Sequence, residues 1–83
     1  MKQTVKIKMY PNPVSGVLTV KHPTANASAT INIYSIMGKK IISKAVPAGM
    51  GQTEIDVSAL PQGSYIIEFN NISTRQNGMF VKI

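Results

Sequence analysis

Apolar side chains recur at every second residue in short segments along the whole of this 83-residue chain. A spacing of two places successive side chains on opposite faces of a β-strand, so each segment has one face for a core and one for water. The segments follow one another at roughly ten-residue intervals, and turn-forming residues separate them. No segment shows the spacing of an amphipathic helix, so the pattern predicts an all-β chain.

Seven strands follow from this alternation. The predicted inward residues are Val5, Ile7 and Met9 in the first strand, Leu18 and Val20 in the second, Ile31 and Ile33 in the third, Thr53, Ile55 and Val57 in the fifth, Tyr65, Ile67 and Phe69 in the sixth, and Met79, Val81 and Ile83 in the seventh, while the fourth strand spans residues 41–46. This number of short strands predicts a seven-stranded immunoglobulin-like β-sandwich with Greek-key connections.

Three connections carry specific turn signals. Pro11 and Pro13 lack amide donors and fix their φ angles, so residues 10–16 are expected to form a rigid, kinked crossover. Gly38 can take a positive φ, which predicts a tight hairpin over residues 37–40. Asn77 with Gly78 predicts either the turn before the last strand or a β-bulge, and both alternatives stay open.

Residues 60–65 are similar to a tyrosine corner, in which a Tyr early in the sixth strand hydrogen-bonds back to the preceding loop. In this interpretation Leu60 caps the core, Gly63 turns the chain and Tyr65 donates the bond. The alternative is a buried Tyr after an ordinary turn.

Length and composition indicate one domain, residues 1–83. A chain of this length buries about two-thirds of its unfolded surface, which allows a single core. The sequence has 43% hydrophobic and 14% charged residues and no cysteine, so the core must form without disulfides. No run approaches the ~20 apolar residues of a membrane span, so direct membrane insertion is not expected. Residues 1–8 lack the apolar run of a signal peptide.

Few side chains could carry chemistry. His22 is the one histidine, and neither a second histidine nor a cysteine is present to share a metal. Glu54 and Asp56 lie on the outer face of one predicted strand, where carboxylates usually serve solvation and cross-strand pairing. We therefore expect no catalytic residue, no cofactor and no metal, and the chain is predicted not to be an enzyme.

The net charge of +6 raises the question of an anionic partner. A nucleic-acid-binding sheet interleaves aromatic and basic residues on an exposed face, and only Tyr34 and Phe80 are expected there, so no nucleic acid is predicted. The lysines are expected on edges and outer faces, where they oppose aggregation or dock on an acidic partner. They are Lys2, Lys6, Lys8, Lys21 and Lys82.

Four separated motifs then occur in order between residues 9 and 83. They are Tyr10-Pro11-Asn12-Pro13, the hairpin over residues 31–41 with Gly38-Lys39, residues 55–67 with Leu60, Gly63 and Tyr65, and the closing Phe80-Val81-Lys82-Ile83. In this order and spacing they resemble the type A C-terminal sorting domain of type IX secretion cargo. Ser35 departs from that family, which often has Asp at this position.

The resemblance implies that the chain is the tail of a larger secreted or cell-surface protein of a Bacteroidetes-type bacterium. Its partners would be the outer-membrane type IX translocon and shuttle proteins. A sortase-like cell-surface peptidase would usually cleave it, and the cargo would be attached to the cell surface or released. The residues expected to serve recognition are Pro11, Asn12, Pro13, Gly38, Lys39, Val81, Lys82 and Ile83.

The closing strand suggests how a receptor binds. A last strand with a free edge can pair with a partner's sheet, so we expect main-chain recognition of this strand and adjacent loops, while self-association through an edge stays open. The alternative function is an accessory module that binds glycans or mediates adhesion. That function needs an exposed aromatic platform, for which the sequence offers Tyr34 with Tyr10 or Phe80.

Overall fold

Seven β-strands form this chain in a computed structural model, which describes residues 6–24, 29–71 and 75–83. The strands are β1 (Lys8–Tyr10), β2 (Val17–Lys21), β3 (Ala29–Ser35), β4 (Lys40–Val46), β5 (Gln52–Asp56), β6 (Gly63–Asn70) and β7 (Arg75–Lys82). The all-β prediction is confirmed. The described ranges contain no helix that could cross a membrane.

The strands form two antiparallel sheets. One sheet has the order β1-β2-β5 and the other has the order β4-β3-β6-β7. Strands that follow one another closely in sequence pair in β1-β2, β3-β4 and β6-β7, whereas β5 pairs with β2 and β6 pairs with β3. The edges of the four-stranded sheet are therefore β4 and β7.

The core lies between the sheets and contains most of the predicted inward residues. Each fully buried large apolar side chain contributes about 1.5–3 kcal/mol relative to an exposed one. Ile7 and Met9 pack partly buried against this core, and Val5 lies outside the described residues. The buried predicted residues are Leu18, Val20, Ile31, Ile33, Thr53, Ile55, Val57, Tyr65, Ile67 and Phe69.

The predicted inward face of the last strand is wrong by one residue. Phe80 is buried and stacks on Tyr65, with ring centroids 5.5 Å apart, because the register places it opposite this core residue of β6. Met79, Val81 and Ile83 therefore face outward and are exposed. Apolar residues occupy both faces of β7, so alternation alone did not determine which face is buried.

Lys82 also differs from its predicted position on an outer face. Two-residue alternation places it on the same side of β7 as Phe80, and only 7% of its surface is exposed. Its Nζ donates to the Ile83 carbonyl oxygen at 3.1 Å, so the ammonium group has a polar partner close to the end of the strand. Lys6, Lys8 and Lys21 are exposed as predicted, and Lys2 lies outside the described residues.

Asn77 and Gly78 form neither a turn nor a bulge. Both lie inside β7, in continuous register with Glu68 and Ile67 of β6. A Cβ atom on Gly78 would lie 2.5 Å from Cε of Met9. The glycine leaves room for this side chain of the opposite sheet, and close packing explains its position.

Candidate functional site

Residues 10–14, which we call the amino-terminal clamp, lie along the outer edge of β7. The Asn12 side chain accepts a hydrogen bond from the Val81 amide at 2.9 Å and donates one to the Met79 carbonyl at 3.3 Å. A side-chain amide offers the donor and acceptor of a peptide group, so Asn12 pairs with β7 as a strand residue would. The peptide bonds before Pro11 and Pro13 are cis.

Val14 continues this pairing with its main chain. Its amide donates to the Val81 carbonyl at 2.8 Å, and its carbonyl accepts from the Ile83 amide at 2.9 Å. Val14 forms an isolated parallel bridge with Lys82, and its side chain is buried in the core. The structure thus brings two groups of predicted recognition residues together, the proline segment and the closing residues.

The clamp corrects the expectation that the last strand has a free edge. The Met79 carbonyl, the Val81 amide and carbonyl, and the Ile83 amide already have hydrogen-bond partners in the clamp. Further along β7, the Ile7 amide donates to Oε1 of Gln76 at 2.7 Å. A receptor strand could pair with residues 79–83 only after displacing the clamp.

The hairpin turn between β3 and β4 contains the predicted residues Gly38 and Lys39. Ser35 closes it, because its amide donates to the Lys39 carbonyl and its carbonyl accepts from the Gly38 amide, both at 2.9 Å. The Ser35 hydroxyl also accepts from the amides of Met37 and Lys39. Gly38 has a φ of +90°, which favours glycine. Ser35 therefore satisfies the turn in the position where the resembled family often has Asp.

This turn lies at the same end of the sheet as the carboxyl end of β7. Ser35 pairs with Tyr65 across β3 and β6, and Tyr65 pairs with Phe80 across β6 and β7. The turn and the clamped end of β7 therefore lie at the same end of one sheet, with β6 between β3 and β7.

Tyr65 makes the hydrogen bond that defines a tyrosine corner. Its hydroxyl donates to the Pro61 carbonyl at 2.6 Å. Leu60 is buried beneath this loop, and its amide donates to the Val57 carbonyl at 3.0 Å. Gly63 has a φ of +152° at the start of β6. The corner ties the loop to the core next to the closing strand.

His22 has a packing role that the sequence did not reveal. Its buried ring stacks on Phe69 with centroids 4.8 Å apart. Its Nε2 lies 2.8 Å from the Thr53 hydroxyl, and its Nδ1 lies 3.1 Å from the Pro23 carbonyl. Both ring nitrogens thus have protein partners. In the described ranges, no three His, Asp or Glu residues are grouped so that they could hold a metal.

Asp56 and Glu68 have structural partners. Asp56 accepts a hydrogen bond from the Ser58 amide at 2.9 Å, and the hydrogen bonds from Ser58 lower the pKa of Asp56. Glu68 accepts from the Tyr34 hydroxyl at 3.2 Å and faces Arg75 at 3.7 Å. Desolvation, followed by the hydrogen bond to Glu68, raises the pKa of Tyr34.

The aromatic platform expected for a glycan-binding module is not formed by the described residues. Phe80 is in the core, which corrects its predicted exposure. Tyr10 lies on β1 of the three-stranded sheet, whereas Tyr34 lies on β3 of the four-stranded sheet. No two of these three rings share an exposed face.

Comparison with known proteins assigns both a family and a fold. The model of the family described as "Secretion system C-terminal sorting domain" matches residues 8–82. No curated protein sequence gives a significant match. A DUF3244 family protein from Bacteroides vulgatus, solved as an immunoglobulin-like β-sandwich, superposes with a TM-score of 0.74 at 20% identity, covering 95% of this chain and 96% of that chain. This likeness shows the immunoglobulin-like fold.

Proposed function

The chain belongs to the family of secretion-system C-terminal sorting domains, and we propose that it directs a cargo protein across the outer membrane by type IX secretion. The match over residues 8–82 is the observation that carries the proposal, because it extends over both the clamp and the closing strand. The cargo is accordingly a secreted or cell-surface protein.

We further propose that the domain has no catalytic activity of its own and takes no cofactor or metal. The family model that matches the chain describes a sorting role and not a reaction. Two of the polar groups that could have served chemistry have structural partners instead: His22 bonds with Thr53, and Asp56 bonds with Ser58.

The proposed partners are the outer-membrane translocon and its shuttle proteins, followed by a sortase-like peptidase that cleaves the domain from cargo that is then anchored or released. Pro11, Asn12, Pro13 and Lys39 are exposed and accessible to such proteins. Lys82 is buried, so its contribution to recognition would act through the packing of the closing strand.

Two finer proposals concern the domain itself. The strand β5 crosses back to pair with β2, and β6 pairs with β3, which we interpret as Greek-key connections. We also propose that residues 1–83 are one sorting domain at the end of a larger cargo protein, and the family match over residues 8–82 supports this proposal.

Fusion to a reporter tests the proposed function. Residues 1–83 are attached to the carboxyl end of a Sec-exported reporter in a host that has a type IX system, and reporter is measured in the medium, on the cell surface and in the periplasm. The proposal expects export beyond the outer membrane that is lost in a translocon-deficient strain. Periplasmic retention of the intact fusion in the competent host would contradict it.

Deletion of residues 81–83 is a poor control for this assay. It removes the partners of Asn12 and Val14 together with the buried Lys82, so it disturbs the fold as well as any recognition surface. Substitutions on exposed faces separate the two effects.

A further inference from the structure

An apolar strip crosses the outer face of the four-stranded sheet. Tyr34 pairs with Ile66, and Ile66 pairs with Met79, so the three side chains form one row on the face opposite the core. On β4, Ile41 is the residue without a partner at the register shift next to Tyr34. We call the following six residues the outer strip: Ile41, Tyr34, Ile66, Met79, Val81 and Ile83.

The last strand contributes most of the exposed apolar surface of the outer strip. Met79 is 58% exposed, Val81 40% and Ile83 56%, while Phe80 between them is buried in the core. A strand with one solvent-exposed face normally carries polar residues on that face. Apolar residues on both faces are typical of a strand that is covered on both sides. Large apolar patches on a small protein usually mark a contact surface.

Positive charge flanks the outer strip. Lys39 is exposed on the hairpin turn, and Lys40 is exposed on β4, where it pairs with Tyr34 of the outer strip. The chain has three carboxylate side chains, and two of them lie on β5 of the other sheet. The third, Glu68, accepts a hydrogen bond from Tyr34 and pairs with Arg75. Lys39 and Lys40 are therefore available for carboxylates of a partner.

We propose that the outer strip binds a component of the secretion machinery whose contact surface is apolar at its centre and acidic at its rim. This inference rests on the proposed function, and it names the surface that the machinery contacts. Side chains are the means of recognition here, because the clamp already pairs with the main chain of residues 79–83.

Two other occupants fit the outer strip less well. A second copy of the chain would bring Lys39 and Lys40 of both molecules together, and each molecule carries a net charge of +6. A bilayer would have to dehydrate Glu68 and Asn77, which pair with each other across β6 and β7 beside the Met79 row. An acidic protein surface can leave this polar pair at the wet rim of the contact.

The test uses matched pairs of substitutions in the reporter fusion. Met79→Thr with Val81→Thr removes exposed apolar surface from the outer strip while keeping a strand-forming residue at position 81. Val17→Thr with Met50→Thr removes similarly exposed apolar residues elsewhere, since Val17 is on β2 and Met50 is in the loop before β5. The outer-strip variant is expected to lower export at least about tenfold, and the control is expected to match the unmodified fusion.

The outcomes separate this inference from the proposed function. Retention of the unmodified fusion overturns both, whereas normal export of the outer-strip variant overturns the inference alone. If thermal melting shows that this variant is unfolded, Lys39→Glu with Lys40→Glu decides, because it leaves the strip intact. Reduced export supports the acidic rim, and normal export contradicts it. Two further results would overturn the inference. The purified domain could bind phosphatidylglycerol vesicles, which would favour lipid, or form a dimer in sedimentation, which would favour a second copy, provided that the outer-strip variant abolishes the effect.

Discussion

At the scale of single residues, Asn12 joins the two ends of the described chain. Its side chain satisfies one donor and one acceptor on the edge of β7, which are groups that an edge strand otherwise exposes. Covering an edge in this way protects it from pairing with other chains. Asn12 thus stabilises the closing strand and covers an edge that could otherwise pair with another chain.

The first prediction concerns this side chain. Asn12→Ala removes both hydrogen bonds to β7 and is expected to lower the free energy of unfolding by about 1 kcal/mol. For a domain of this size the midpoint of thermal unfolding should fall by about 4–8 °C. The control is Asn77→Ala, which changes an exposed asparagine of β7 itself. Equal melting of the two variants would contradict the role assigned to the clamp.

The second prediction concerns acid stability at Asp56. Because the hydrogen bonds from Ser58 lower its pKa in the folded state, the contribution of Asp56 is present above the unfolded value, near 3.8, and is lost as pH falls through the folded value. Denaturant unfolding of the wild type should lose this contribution only below about pH 4.

Asp56→Asn serves as the comparison for that titration. This variant should have a lower free energy of unfolding than wild type near pH 7. The difference between the two proteins should shrink as the pH is lowered. Glu54→Gln, on the same strand face, controls for the loss of a carboxylate. A wild-type advantage over Asp56→Asn that stays constant from pH 7 to pH 2 would contradict the assignment.

At the scale of elements, alternation in the sequence predicted the orientation of strands that have one apolar and one polar face. It failed for the strand that has apolar residues on both faces. Apolar and polar residues alternate clearly in β2 and β5, and these strands face as predicted. In β7 apolar residues occupy both faces, and the buried Lys82 has the character of an outward residue. Pairing with Tyr65 fixed the orientation, and that long-range contact is not visible in local alternation.

The candidate site shows the same limit. The turn chemistry of the hairpin is local and was predictable, because Gly38 and its neighbours hydrogen-bond within a few residues. The clamp joins Asn12 to Val81, which are far apart in sequence, and no local pattern indicates that an asparagine side chain replaces a strand residue there. His22 and Phe69 are also far apart in sequence, so no local pattern indicates that their rings stack.

The hairpin supplies the third prediction. Ser35→Ala removes the acceptor for two turn amides and is expected to lower stability by about 1 kcal/mol. Ser35→Asp keeps an acceptor at the same place, so it should be at least as stable as wild type in chemical denaturation. If Asp proved as destabilising as Ala, the hydroxyl would not be acting as the turn's acceptor.

The fourth prediction concerns the corner between the loop and β6. Tyr65→Phe keeps the buried ring and loses the bond to the Pro61 carbonyl, and we expect a loss of about 1 kcal/mol in urea unfolding. Tyr34→Phe loses a longer bond on the outer face and should cost less. A larger loss for Tyr34→Phe would show that the corner does not stabilise the loop.

At the scale of the whole molecule, the closing strand depends on three distant parts of the chain. The clamp pairs with its outer edge, β6 pairs with its inner edge, and Met9 packs over Gly78. The surfaces proposed for recognition therefore exist only when the sandwich has formed. Our central claim is that the sorting signal is this folded body and not the linear sequence of its motifs.

The most direct test compares export of the intact fusion with a fusion that carries Leu18→Asp. Leu18 is fully buried and lies outside the four motifs, so an unpaired carboxylate there should unfold the domain while every motif residue stays in place. At equal amounts of periplasmic fusion protein, the account predicts export of the reporter by the intact domain and its retention by the unfolded variant. Equal export of both fusions, with unfolding of the variant verified by circular dichroism, would contradict the claim.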